Sequence, residues 1–190
     1  MWFWKLNWIK RHQKLMQEQE RETPREYLDR ESHHVWGRRY LLHQTEVSAA
    51  PKVTIAHNQL RLQIRPGTTP AQKEAILDQW YRNLIKEAAP KVVAKWEKLM
   101  RVTVKKVHVQ RMKTKWGSCT PDRQTIRLNS ELAKKPAACL EYIIVHEMAH
   151  LLEPTHNAKF VALMDQFMPK WQLHRENLNR LPVRHETWGY

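Results

Sequence analysis

The sequence predicts an α+β fold: a small mixed sheet, a central buried helix, and flanking helices after it. Three observations lead there. Segments 38–47, 52–56, 60–64, 102–112 and 125–129 alternate apolar with polar residues over strand-like lengths. The stretch after Gly67 repeats its apolar residues at helical spacing, and a helix beginning near Pro136 is apolar on nearly every side. A helix with almost no polar face must be covered by the rest of the chain, which places it at the centre.

The elements follow in order. The N-terminus, MWFWKLNWIKRHQKLMQ, sets Trp2, Leu6, Ile9 and Met16 on one helical stripe among Lys5, Lys10, Arg11 and Lys14. It has neither the long apolar centre nor the small-residue cleavage site of a signal peptide. It reads as a helix docked on the domain or a frayed extension, with a weak interfacial membrane anchor as the alternative. We therefore divide the chain into an extension (1–24), a domain (25–181) and a tail (182–190), with the charged 17–31 as a solvated entry segment.

RRYLLHQTEV (38–47), KVTIA (52–56) and LRLQI (60–64) read as strands, the last two joined in a hairpin at His57-Asn58. Thr68, Thr69 and Pro70 signal a helix start, and Pro90 is expected to break that helix, leaving a second one over 91–100. In VTVKKVHVQRM (102–112) the pair Lys105-Lys106 shifts the alternation, as a bulge would. GSCTPDR reads as turn-rich, and TIRLN (125–129) as the other arm of a hairpin with 102–112. The central helix runs from Pro136 to Pro154, and two shorter helices follow, from Asn157 and after Pro169.

Composition narrows the possibilities. A length of 190 residues suits one domain, and 42% hydrophobic content can build a core without disulfide staples. The two cysteines, Cys119 and Cys139, then read as reduced thiols, and the expected compartment is cytoplasmic. With 33 Lys+Arg against 19 Asp+Glu the formal charge is +14, which favours encounter with polyanions: nucleic acid, nucleotides or an anionic membrane surface. No run has the length of a membrane-spanning helix.

HEMAHLLEPTH (146–156) carries the chemistry. Residues four apart on a helix project from one face, so His146 and His150 can present both imidazoles to one cation. His156, beyond the break at Pro154, can fold back as a third ligand and leave a position open for water. Glu147 adjoins the first histidine, where a general base for that water belongs. Uncompensated burial of such groups costs roughly 1–3 kcal/mol each, so an apolar helix holding them implies a metal. Zn2+ is the expected ion, although sites rich in histidine also accept iron, cobalt or nickel. Glu153 is the competing third ligand, but it follows His150 too closely for the usual distant glutamate. The spacing to His156 is that of the metzincin pattern, yet Glu153 and Pro154 stand where that pattern has its glycine turn, and no Met-turn follows.

RMKTKWGSC (111–119), TIRLNSEL (125–132), EYIIVHEMAHLLEPTH (141–156) and FMPKW (167–171) together resemble the YgjP-like metallopeptidase domain family, zincins related to SprT-like and WLM-type metalloproteases. The likeness extends more weakly through GRRYLLHQTEV (37–47) and WYRNLIKEAAP (80–90), and covers most of 25–181. It implies a zincin-like fold, zinc on His146, His150 and His156, and the base at Glu147. The substrate is left open.

Beside the motif, Trp116 can wall a cleft, Gly117 can permit close backbone or substrate approach, and Ser118 and Cys119 are small. A strand edge here can pair with an extended peptide. Trp116, Gly117, Ser118 and Arg111 are thus the candidate substrate-binding residues, with a structural hairpin as the alternative. Cys119 as a fourth ligand would close the site, so it is read as non-ligating. Arg111, Tyr142 and His174 are candidate oxyanion stabilisers. The leading function is a zinc peptidase acting on peptide or protein. The alternatives are a hydrolase of nucleotide phosphate bonds, drawn by Arg111, Lys113, Lys115, Arg123 and Arg127, or a nucleic-acid-binding protein with a structural metal.

Overall fold

Alternation of leucines with polar residues builds the first sheet. In the computed structural model, which describes residues 25–180, strands β1 (Ser32–Val35), β2 (Arg38–Glu46), β3 (Lys52–Ala56) and β4 (Gln59–Ile64) lie in the order β1-β2-β4-β3. β2 and β4 run parallel, and the other pairs antiparallel. Leu42 faces Leu60, and with Leu62 and Ile64 they turn one sheet face into the core. The registered row His43, Arg61 and Thr54 lies on the other, exposed face. His57 takes the left-handed conformation (φ 52) that the tight β3–β4 turn needs. β1 went unread because its sequence, SHHV, carries little apolar signal. The expectations for 1–24 and 182–190 fall outside the described residues.

Pro90 does not break the helix. α1 runs unbroken from Pro70 to Met100, opened by a capping box in which Gln72 N–H donates to Thr69 Oγ1 (3.3 Å) and Thr69 N–H to Gln72 Oε1 (2.9 Å). Leu77, Tyr81, Ile85, Ala89, Val93, Trp96 and Met100 form one buried stripe that continues past the proline. Pro90 itself is exposed, so its ring and the Lys86 carbonyl that loses an amide partner sit where water can compensate. Packing of the stripe outweighs the local cost.

α1 also separates the strands into two sheets where one was expected. The second contains β5 (Lys106–Gln110), β6 (Gly117–Thr120) and β7 (Thr125–Asn129) in the order β5-β7-β6. Two expectations are corrected here. β5 starts at Lys106, so the phase shift marks the beginning of the strand and no bulge is needed. β5 and β7 are parallel, and the hairpin is β6 with β7, closed by a 3-10 turn at Pro121–Arg123 and a left-handed Gln124 (φ 49). GSCT, read as a turn, is a strand because it completes the hydrogen bonding of β7.

A 3-10 turn, Ser130–Lys134, leads into α2 (Ala137–Ala149), whose Ile144, Val145 and Met148 are fully enclosed. α2 stops earlier than Pro154, with His150 as its C-cap. α3 (Ala158–Phe167) begins at Asn157, whose Oδ1 accepts from Phe160 N–H (3.0 Å), and α4 (Trp171–Arg180) follows. The described chain is thus α+β, with α2 packed against α1, α3, α4 and the second sheet. Among the described residues no helix is long and apolar enough to cross a membrane.

Candidate active site

The site assembles at the C-terminal end of α2. His150, although the capping residue, keeps helical dihedrals (φ −66, ψ −17), so it stays one turn from His146 on the same side. Backbone bonds from Leu151 to Met148, Leu152 to Ala149 and Glu153 to Ala149 finish the turn before Pro154 stops it. Glu153 Oε1 then accepts from Thr155 Oγ1 (2.9 Å) and Thr155 N (3.3 Å), bending the chain so that His156 returns over α2.

The result is a cluster in which one nitrogen each from His146, His150 and His156 lies within 4.8 Å of the others. His156 Nε2 and His146 Nε2 are 3.0 Å apart. Two nitrogens bound tetrahedrally at about 2.05 Å would be roughly 3.3 Å apart, so the donor set suits a small dication with little adjustment. His150 Nδ1 donates to the Glu153 carbonyl (3.2 Å), which leaves Nε2 with its lone pair for an ion. Burial holds the His150 imidazole below its ordinary pKa, opposed by that hydrogen bond and the Glu153 charge, and the neutral ring is the ligating form. Phe160 backs all three rings, with centroids 5.0, 4.6 and 4.6 Å from His146, His150 and His156.

Glu147, next in sequence to His146, sets its carboxylate against Gly117 of β6. It is only 6% exposed, and burial pushes its carboxyl up to about 8, with Lys115 pulling the other way. Cys119 lies on the same face of β6 as Gly117, two residues along. Burial, reinforced by the Glu147 charge, raises its thiol to about 12, so it stays a neutral thiol.

The other expected residues are distributed as follows. Trp116 is buried beneath Lys135, whose ammonium lies 5.8 Å from the ring. Gly117 abuts Glu147 and Ile143 of α2. Ser118, next along the strand, falls on the opposite face, where it is registered with Arg127. Arg111 reaches α1, with Asp78 at 3.4 Å and Glu74 at 3.5 Å. Tyr142 sets its ring edge-on to His146 at 5.9 Å, and burial raises its hydroxyl to about 12, so it remains a donor. His174 on α4 acts electrostatically on Glu141 of α2 and is not in the converging histidine group. Glu153 lies outside the nitrogen cluster, its carboxylate spent on Thr155.

Two residues went unnoticed in the sequence. Phe160 carries no sequence signal beyond that of an apolar helix position. Asn129, almost wholly buried, donates from Nδ2 to the carbonyls of Met112 and Lys115 (both 2.8 Å) and accepts on Oδ1 from Met112 N and Glu131 N. It thereby fixes the loop that leads into Gly117. A polar residue ending an apolar strand was the one available signal.

With this geometry, the class of protein is a metallopeptidase. The chain belongs to the YgjP-like metallopeptidase domain family, matched over residues 4–181. Membership makes it a metal-dependent hydrolase of the peptidase kind and implies a divalent cation. No curated protein sequence matches it. Among solved structures, the metallopeptidase zymogen of Pyrococcus abyssi abylysin is similar at 17% identity, over 47% of this chain and 90% of that one, with a TM-score of 0.44. The metallopeptidase zymogen of Methanocaldococcus jannaschii jannalysin is similar at 20% identity, over 47% and 91%, with a TM-score of 0.42.

Proposed function

We propose that the protein is a zinc peptidase that cleaves extended peptide or unfolded protein segments. The observation that carries the reading is the convergence of three imidazole nitrogens within 4.8 Å, with Glu147, the residue after the first of them, buried. His146, His150 and His156 would hold the ion. When bound there, a divalent cation supplies Lewis acidity: it acidifies water, polarises a carbonyl and favours the ionised form of a neighbouring carboxylate.

Glu147 acts as the general base. Its carboxylate takes a proton from water as the oxygen attacks the scissile carbonyl, then hands that proton to the departing amine nitrogen. Lys115 helps to keep the carboxylate ionised. Among the described residues β6 is an edge strand that can pair with an extended substrate, and Trp116 and Gly117 sit at its start. Cys119 is not in the converging group and stays out of the ligand set. Reduced Cys119 and Cys139 suit a cytoplasmic setting.

The test compares zinc-loaded protein with its Glu147→Gln variant on denatured protein and, in parallel, on nucleoside triphosphates. Glu147→Gln should retain zinc and lose about 100-fold or more in peptide turnover. Undiminished turnover would remove the base, and phosphate release without peptide cleavage would replace the substrate class. His156→Ala should lower zinc content in metal analysis, and unchanged occupancy would exclude it from the ligand set.

A further inference from the structure

Gly117 is not required by its backbone. The left-handed glycines among the described residues are Gly37 and Gly67, and Gly117 is not one of them, so any residue could adopt its conformation. What the site lacks is room. A Cβ at position 117 would lie 2.6 Å from Glu147 Oε1, 2.9 Å from Glu147 Cγ and 2.8 Å from Ile143 Cγ2. All three are inside the closest approach that real side chains make.

Neither element can readily move apart. β6 is held in register on β7 by the pairing of Gly117 with Leu128, and Asn129 N–H donates to the Trp116 carbonyl (2.9 Å) just before it. α2 is wedged by Ile144, Val145 and Met148, all fully enclosed. The part free to yield is the end of the Glu147 side chain. Lys115 acts on that carboxylate through its charge, and the wall at Gly117 limits where the carboxylate can lie.

From this geometry we infer that Gly117 is a positioning residue: its missing side chain is the notch in which the Glu147 carboxylate lies. The inference rests on the proposed role of Glu147 as base. It gives the glycine a task separate from substrate approach, because a methyl group there would press on the enzyme's own carboxylate before any substrate arrived.

The experiment is a double-mutant cycle of Gly117→Ala with Glu147→Ala in the zinc-loaded protein. Gly117→Ala alone should lower kcat about 10-fold or more, with KM and zinc content each within about twofold of wild type. It should also lower Tm, and in the Glu147→Ala background that loss should fall to about half or less, because two of the three collisions are gone. Equal Tm losses in both backgrounds, an unchanged kcat, or a parallel loss of zinc would each overturn the inference. Should Gly117→Ala alone fail to fold, folding of the double variant supports the notch and its failure to fold refutes it. Turnover persisting in Glu147→Gln would dismiss the base while leaving the stability coupling measurable, so the two failures are distinct.

Discussion

The imidazole of His150 is tied at 3.2 Å to the backbone carbonyl of Glu153, three residues further along the chain. The Glu153 side chain meanwhile shapes the turn that returns His156, through Thr155. One residue thus orients one ring with its backbone and helps to deliver another with its carboxylate. Glu153→Ala should weaken zinc binding by about 10-fold, and Glu153→Gln, which can still accept from Thr155, by much less. Competition titration against a chromophoric chelator measures both. Equal, large losses would instead make the carboxylate itself a ligand.

Pro90 interrupts the hydrogen bonding of α1 without interrupting its buried stripe. Pro90→Ala restores an amide to the Lys86 carbonyl and removes no buried contact, so it should stabilise the fold by about 1–3 kcal/mol. Thermal or denaturant unfolding checks this. A loss of stability would mean that α1 needs a bend at this point.

Glu141 joins α2 to α1, accepting from Lys95 Nζ (2.7 Å) and Trp96 Nε1 (2.8 Å). Burial raises its pKa, but the two hydrogen bonds and the Lys95 charge outweigh it, and the carboxyl lies below its ordinary 4.5. Because the folded value is depressed, the stabilisation is complete above 4.5 and is lost as the pH falls through the lower folded value. Lys95 is well exposed and screened, so Glu141→Gln should cost only about 1 kcal/mol at neutral pH. Urea unfolding at neutral and acid pH should show the difference between wild type and variant shrinking on the acid side.

Asn129 is the clamp of the 112–115 loop. Asn129→Ala would remove the partner of two part-buried carbonyls and two amides, and should cost about 1–3 kcal/mol. Leu128→Val, a neighbouring change that leaves the clamp intact, should cost about 1 kcal/mol. Denaturant unfolding distinguishes them. Similar losses would assign the loop's order to apolar packing instead.

The histidine cluster was legible because its residues are close in sequence. The i, i+4 spacing and the break at Pro154 need no long-range information, and capping of α2 at His150 leaves the geometry unchanged. Leucine alternation likewise gave β2 and β4. What escaped depends on partners distant in the chain. GSCT has no apolar alternation and becomes a strand only because β7 offers it hydrogen bonds. The parallel pairing of β5 with β7 depends on a crossover that no local pattern encodes. Pro90 carries a local signal for breakage that the stripe from Leu77 to Met100 overrides. The fit between Gly117 and Glu147 belongs to the same group, since two well-separated segments must meet before the glycine's size has meaning.

His146 and His156 stand ten positions apart, and His150 lies between them. Capturing a cation through these rings therefore closes only a short loop, at a small cost in chain entropy. The long helix and the four-stranded sheet supply none of the three ligands. A chelator should consequently strip the protein of its chemistry while leaving its architecture standing, making the ion a removable tool and not a keystone.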